Sequence, residues 1–282
     1  MTVDLLFDAR VELAEGPIWD GATLTWVDLL GGVVHRLSLD GVPGPSLELG
    51  RRVGCAVPCA DGGLMLATET GFARERELVA PVHTDAPDSF MNDGRCDPLG
   101  RLWAGTIAVA DDGGPVPAGG ALYRLDADLT VTCVRSGVTL SNGMDWSPDG
   151  RTFYYVDSAS GGIDAYDFDL DAGTLGPPRR VVEIDPRSGF ADGMCVDAAG
   201  ALWTAVWGTG EVRRYTPDGA LDRAIRLPVT QPTSCTFAGE VLVITTAWHR
   251  LSAQERARQP LAGGLFACSP GVCGRPEHRF GA

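Results

Sequence analysis

The chain contains only two asparagines, Asn92 and Asn142, and each stands eight residues before a turn glycine, Gly100 and Gly150. Asp192 stands eight residues before Gly200. Glu15-Gly16-Pro17-Ile18-Trp19 aligns with Asn142-Gly143-Met144-Asp145-Trp146 once a hairpin two residues shorter is allowed for. Four oxygen donors therefore share one slot of a repeating pattern. Two carboxylates and two carboxamides facing one another, with no Lys or Arg in the slot, repel and are costly to desolvate, and a bound cation removes that cost. An all-oxygen set suits Ca²⁺, Mg²⁺ or Mn²⁺ best and Zn²⁺ or Fe²⁺ less well, and three or four protein donors leave positions for water or a substrate. Such an open site polarises a carbonyl and lowers the pKa of a bound water. Asn142-Gly143 and Asp192-Gly193 are also ordinary turn dipeptides. Their coincidence in one slot with Glu15 and the chain's only other asparagine is what favours the ligand reading.

The elements that must position this slot are legible as a repeat. Gly-bearing turns fall at glycines 21, 62, 100, 150, 200 and 239, a recurrence of about 44 residues that marks six units. Each is followed by a strand-like run such as Leu102-Trp103-Ala104 or Leu202-Trp203-Thr204-Ala205-Val206. Further hairpin signals inside most units, for instance Arg214-Tyr215-Thr216-Pro217-Asp218-Gly219, bring each to about four short strands, the content of one propeller blade. The expectation is an all-β, six-bladed β-propeller with four-stranded antiparallel blades, formed by residues 1–282 as a single domain. A pair of β-sandwiches also has short strands and turns, but gives no reason for a sixfold period. Helical periodicity is weak and confined to Ser252–Arg258. Because the first strand of every blade lines the central channel, equivalent slots form a ring at one mouth. Trp19, Trp103, Trp146, Trp203 and Trp207 recur at blade positions as inter-blade packing, with Trp207, before Gly208, the one placed to touch a ligand. Of the scattered His35, His83, His249 and His278, His249 is the one that could reach the mouth.

Composition narrows the chemistry. All 23 basic residues are Arg, so Schiff-base chemistry and a Walker-type phosphate loop are excluded. A formal charge of −14 with no basic run disfavours nucleic acid and anionic lipid as partners. The eight cysteines are scattered and include no Cys-x-x-Cys pair, which suits unpaired thiols in a reducing compartment. The N-terminal Met1–Phe7 lacks a basic flank and a long apolar stretch, and no run approaches 18 apolar residues. The expectation is a soluble, cytoplasmic protein with a small-molecule partner.

Several segments together make the chain similar to the regucalcin/gluconolactonase family, also known as the senescence marker protein and luciferin-regenerating enzyme family. They are Glu15–Trp19, Asn92-Asp93-Gly94-Arg95-Cys96-Asp97-Pro98-Leu99-Gly100-Arg101-Leu102-Trp103-Ala104-Gly105-Thr106, Ser141–Ser147, Asp192-Gly193-Met194, Gln231-Pro232-Thr233-Ser234 and Gln259–Phe266. The resemblance implies a six-bladed propeller with one divalent ion held by Glu15, Asn142 and Asp192. It further implies that Asn92 contacts substrate or a water on the ion, that Asp192 is the general base, and that the reaction opens a sugar lactone to its aldonic acid. Members vary in the ion they use, so Ca²⁺, Zn²⁺, Mn²⁺ and Fe²⁺ all fit the resemblance.

One position departs from the pattern. Many sugar lactonases of the family carry Arg two residues before the asparagine that matches Asn92, and here Phe90 stands there. A polyhydroxylated substrate loses a fork of donors at that point and meets an aromatic side chain. The expectation is a metal-dependent hydrolase of a sugar lactone or a more hydrophobic one, with Phe90, Asn92, Trp207 and His249 toward the substrate. Two other readings share the site: a metal-dependent enzyme of specialised metabolism that performs an addition or cyclisation, and a non-catalytic calcium-binding propeller.

Overall fold

A computed structural model describes residues 2–82 and 88–282, so His83 lies outside the described residues. Six four-stranded antiparallel sheets follow one another along the chain as the blades of a six-bladed β-propeller. Their first strands are Ala14–Trp19, Val53–Pro58, Ser89–Cys96, Ser141–Trp146, Phe190–Val196 and Pro232–Ala238, and all six are almost wholly buried. The outermost strands, such as Val131–Val138 and Leu221–Arg226, are largely exposed. The last blade is assembled from both ends of the chain, because Asp4–Phe7 pairs antiparallel with Leu265–Cys268. The chain thus runs from the outer strand of the last blade into the first blade, which ties the two together and closes the ring.

The recurring turns have a common physical cause. In the third blade Asp97 is fully buried, and its carboxylate accepts from the backbone N–H groups of Leu99 (2.9 Å) and Arg101 (3.1 Å) and from the Trp103 indole (2.9 Å). In the fifth blade Asp197 accepts in the same way from Ala199 (2.9 Å), Ala201 (3.0 Å) and the Trp203 indole (3.0 Å). The chain reverses at Gly100 (φ +74°) and Gly200 (φ +86°), backbone conformations that side chains with a Cβ adopt at a cost. One carboxylate thus closes the turn and pins the tryptophan of the following strand. Trp103 then packs edge-on against Trp146 of the next blade, with ring centres 5.9 Å apart, and Trp203 against Phe237 of the sixth blade at 5.5 Å. The weak helical signal corresponds to a short helix, Ala253–Arg258, begun by a capping box between Ser252 and Glu255.

A feature the sequence pattern did not disclose lies after the last blade. The C-terminal segment runs under the first-strand turns of all six blades. It does so through Arg279 to Asp20, Phe280 to Pro58, Gly281 to Gly100, Arg275 to Asp145 and Trp146, Cys273 to Ala198, and Gly274 to Gly239. The channel is therefore covered at that end, and the slot residues sit toward the other. All eight cysteines are unpaired, and among the described residues no helix is long and apolar enough to cross a membrane.

Candidate metal centre

Each slot side chain is aimed by a β-bulge. Pairing between first and second strands slips between Glu15 and Ile18, Met91 and Gly94, Ser141 and Met144, and Ala191 and Met194. Bulges of this kind place two residues opposite one and redirect their side chains out of the ladder. Asn142-Gly143 and Asp192-Gly193 are therefore bulges inside strands rather than turns. In the second blade the bulge residue is Gly54, which brings no side chain, and a Cβ there would lie 1.9 Å from the Asn92 carbonyl oxygen. In the sixth blade it is Thr233, whose hydroxyl is spent on the Ala14 carbonyl (2.6 Å). Four of six blades consequently contribute oxygen donors.

Glu15, Asn92, Asn142 and Asp192 are only 4–7% exposed. The Asn92 amide nitrogen donates to Asn142 Oδ1 (3.0 Å) and to the Ser141 carbonyl (2.8 Å). The Asn142 amide nitrogen donates to Ser158 Oγ (2.8 Å), which in turn donates to the Ala191 carbonyl (2.6 Å). This chain fixes the Asn142 carboxamide with its oxygen turned toward Asn92. Buried Ser158 is thus a positioning residue that no motif announced, since a serine after a strand carries no sequence signal of its own. Ser158→Ala leaves that amide without its acceptor, and the expected result is a roughly 10–100-fold loss of divalent-ion affinity, read by calorimetry, with a loss of about 1–3 kcal/mol in the ion-free protein.

The electrostatics match a cation. Burial, followed by repulsion from Asp192 and Asp93, holds the Glu15 carboxyl well above the ordinary carboxylate range, with only the Gly16 N–H (3.2 Å) opposing. Burial and then Asp93 do the same to Asp192. Asp93, next to Asn92, is a third buried carboxylate near the slot, pushed up by burial to about 6. The buried Arg95 beyond it is taken up by Asp145 (2.8 Å) and Glu277 (3.5 Å). Among the described residues no three His, Cys, Asp or Glu side chains are grouped as a ligand set, and the slot brings two carboxylates and two carboxamides. That set fits a hard divalent cation: its negative charge is buried without a protein counter-ion and its atoms are all oxygen.

Groups whose folded pKa is raised favour the fold below their unfolded pKa, and that contribution is lost as pH rises through the raised values. The ion-free protein should therefore lose stability as pH climbs from about 4 toward neutrality and beyond, and the stabilisation gained on adding a divalent ion should grow over the same range. Thermal unfolding at several pH values, with chelator and with ion, checks both.

Of the remaining predicted site residues, Phe90 lies in the first strand of the third blade, Trp207 ends the second strand of the fifth, and His249 follows the second strand of the last. Phe90 is buried among apolar side chains, and the Arg52 guanidinium lies over its ring at 4.6 Å. Trp207 is partly buried and pairs in register with exposed Phe190 at the start of the fifth blade. His249 is occupied elsewhere: its Nδ1 meets Glu12 (2.7 Å) and its Nε2 accepts from Arg250 (3.2 Å), beside the bridge from Leu13 to Ala247. None of these three has a hydrogen bond to a slot residue among the described residues.

A family model described as SMP-30/gluconolactonase/LRE-like region matches residues 13–248, from just before Glu15 to just past the last blade's second strand. The chain belongs to this family. Regucalcin of Danio rerio is 36% identical over 291 residues, spanning 99% of this chain and 98% of its own. Among solved structures of the family, a calcium-binding protein named regucalcin from Agrobacterium tumefaciens superposes with a TM-score of 0.90 at 27% identity, covering 99% of this chain and 97% of that one. A gluconolactonase from Xanthomonas campestris superposes at 0.71 with 25% identity, covering 94% and 88%.

Proposed function

We propose that the protein is a metal-dependent lactonase that opens a small-molecule lactone by hydrolysis. The observation that carries this reading is the burial of Glu15, Asn92, Asn142 and Asp192 at equivalent bulges of four blades, two of them carboxylates without a protein counter-cation, at the end of the channel away from the C-terminal segment. Membership of a family that includes a gluconolactonase supports it.

Glu15, Asn142 and Asp192 would hold the ion, with Ca²⁺, Mg²⁺ or Mn²⁺ best matched to the oxygen set. When bound, the ion supplies Lewis acidity toward the lactone carbonyl and the attacking water. The chain's own groups supply the rest. Asp192, whose burial raises its proton affinity, accepts the proton of the attacking water as the new C–O bond forms, and returns it to the ring oxygen as the lactone C–O bond breaks. Products and reactants balance as one lactone plus one water to one hydroxy acid. Asn92, whose amide nitrogen donates to the Ser141 carbonyl and Asn142, keeps its carboxamide oxygen to accept from a substrate hydroxyl or a water. Burial keeps these dipoles in place and strengthens their effect. The unpaired thiols fit a reducing compartment, in keeping with a cytoplasmic protein.

Purified protein, with chelator and after addition of each divalent ion, is to be assayed on aldono-lactones and on hydrophobic lactones. Turnover that disappears with chelator and returns with ion is expected. Ion binding without turnover of any lactone would refute hydrolysis and favour the calcium-binding reading.

A further inference from the structure

The residue two positions before each slot stands at or next to the start of its blade's first strand, at the end away from the C-terminal segment. Those residues are Leu13, Arg52, Phe90, Leu140, Phe190 and Gln231 before Glu15, Gly54, Asn92, Asn142, Asp192 and Thr233, four of them apolar, with one cation and one buried carboxamide. Leu13 and Leu140 pack against the cluster that holds Phe90, although they come from the first, fourth and third blades. Phe190 is 45% exposed. The rim above the candidate ion is thus mostly apolar, with one cation in it.

Arg52 is held by design of its surroundings. Its guanidinium stacks over Phe90 at 4.6 Å, and its Nη2 meets Asp88 at 2.7 Å and Glu69 at 3.7 Å. Among the described residues Nε and Nη1 make no hydrogen bond, and the side chain is 26% exposed. An aromatic platform and a carboxylate clamp fix the plane of the guanidinium while leaving part of its donor fork open. Two carboxylates beside one guanidinium leave the local charge negative, which disfavours an anionic ligand and leaves hydrogen bonding to a neutral oxygen.

We propose that Arg52 is a specificity residue of this mouth, and that the substrate is an uncharged lactone with an apolar substituent carrying a hydroxyl or carbonyl oxygen. The apolar rim covers the substituent, and Arg52 donates to its oxygen. The substrate class rests on the lactonase reading, whereas the contact at Arg52 does not.

Wild-type, Arg52→Met and Arg52→Lys proteins are to be titrated calorimetrically with two lactams, non-hydrolysable stand-ins for lactones. One carries a plain alkyl chain and the other the same chain with a hydroxyl. Loss of a hydrogen bond to a charged donor predicts that Arg52→Met binds the hydroxylated lactam about tenfold more weakly and the alkyl lactam within about twofold of wild type. Arg52→Lys, which keeps a cation over Phe90 but loses the fork, is expected to fall between, and serves alone if the methionine variant fails to fold. Equal weakening toward both lactams, no weakening toward either, or no binding of either lactam by wild type overturns the proposal. Lactam binding that depends on Arg52, together with no turnover of any lactone by wild type, would refute the lactonase reading while leaving the Arg52 contact in place.

Discussion

Asp192→Ala should abolish lactone hydrolysis. Asp192 has two roles in the proposed reaction, ion ligand and proton acceptor, and loss of the second alone is worth about 10²–10⁴-fold in rate. Removing a carboxylate from the proposed ring also leaves Glu15 as its one charged donor, so activity should not be restored by raising the ion concentration. The fold should survive. In the ion-free protein the substitution removes a buried carboxylate that burial and Asp93 disfavour, so its thermal stability without ion should equal or exceed that of wild type. Activity within tenfold of wild type, measured with saturating ion, would place the base elsewhere.

Asp145→Ala should have the largest effect on stability. Asp145 is buried, and its carboxylate joins Arg95 (2.8 Å), Arg275 (2.8 Å) and the Val196 N–H (2.7 Å). Despite burial, which raises it, the attraction of Arg95 and then Arg275 holds its carboxyl below the ordinary range. Removing it leaves the buried Arg95 with Glu277 as its one ion-pair partner and leaves Arg275, which anchors the C-terminal segment, with only the Trp146 and Val196 carbonyls. Breaking a buried pair by deleting one partner costs about 3–5 kcal/mol, and denaturant unfolding at neutral pH should report a loss of that size. A loss under about 1 kcal/mol, the ordinary worth of an exposed pair, would mean that the network is dispensable. Because the Asp145 carboxyl is depressed, its contribution is present above the unfolded value near 4 and fades as pH falls through the folded one, so the gap between variant and wild type should narrow in acid.

Much of this architecture could be read from residue order because a propeller writes its period into its turns. Asp97 and Asp197 each bind two backbone N–H groups and an indole, so turn residues and the tryptophan six positions on must recur together. The spacing that aligned Glu15, Asn92, Asn142 and Asp192 has a related cause, because each falls at a bulge in the first strand of its blade. Other features depend on contacts that no period encodes. Ser158 matters only because the Asn142 amide turns toward it. Arg52 matters because it lies over Phe90 of the neighbouring blade, so the aromatic face expected at the mouth is covered by a guanidinium. The C-terminal segment has no repeat of its own, and its arginines and Glu277 find partners from across the ring. The partner of His249 was hidden from residue order, because Glu12, which takes its imidazole, is 237 residues away.

The central claim is that this ring is built to hold a divalent cation, and thermal unfolding of chelator-treated protein tests it most directly. An ion that binds only the folded state raises stability in proportion to the logarithm of its concentration over its Kd. The account predicts that at neutral pH at least one of Ca²⁺, Mg²⁺, Mn²⁺ and Zn²⁺ raises the midpoint of wild type and leaves that of Asp192→Ala unmoved. A wild-type midpoint indifferent to every one of these ions, in protein that carries no metal as purified, would contradict it.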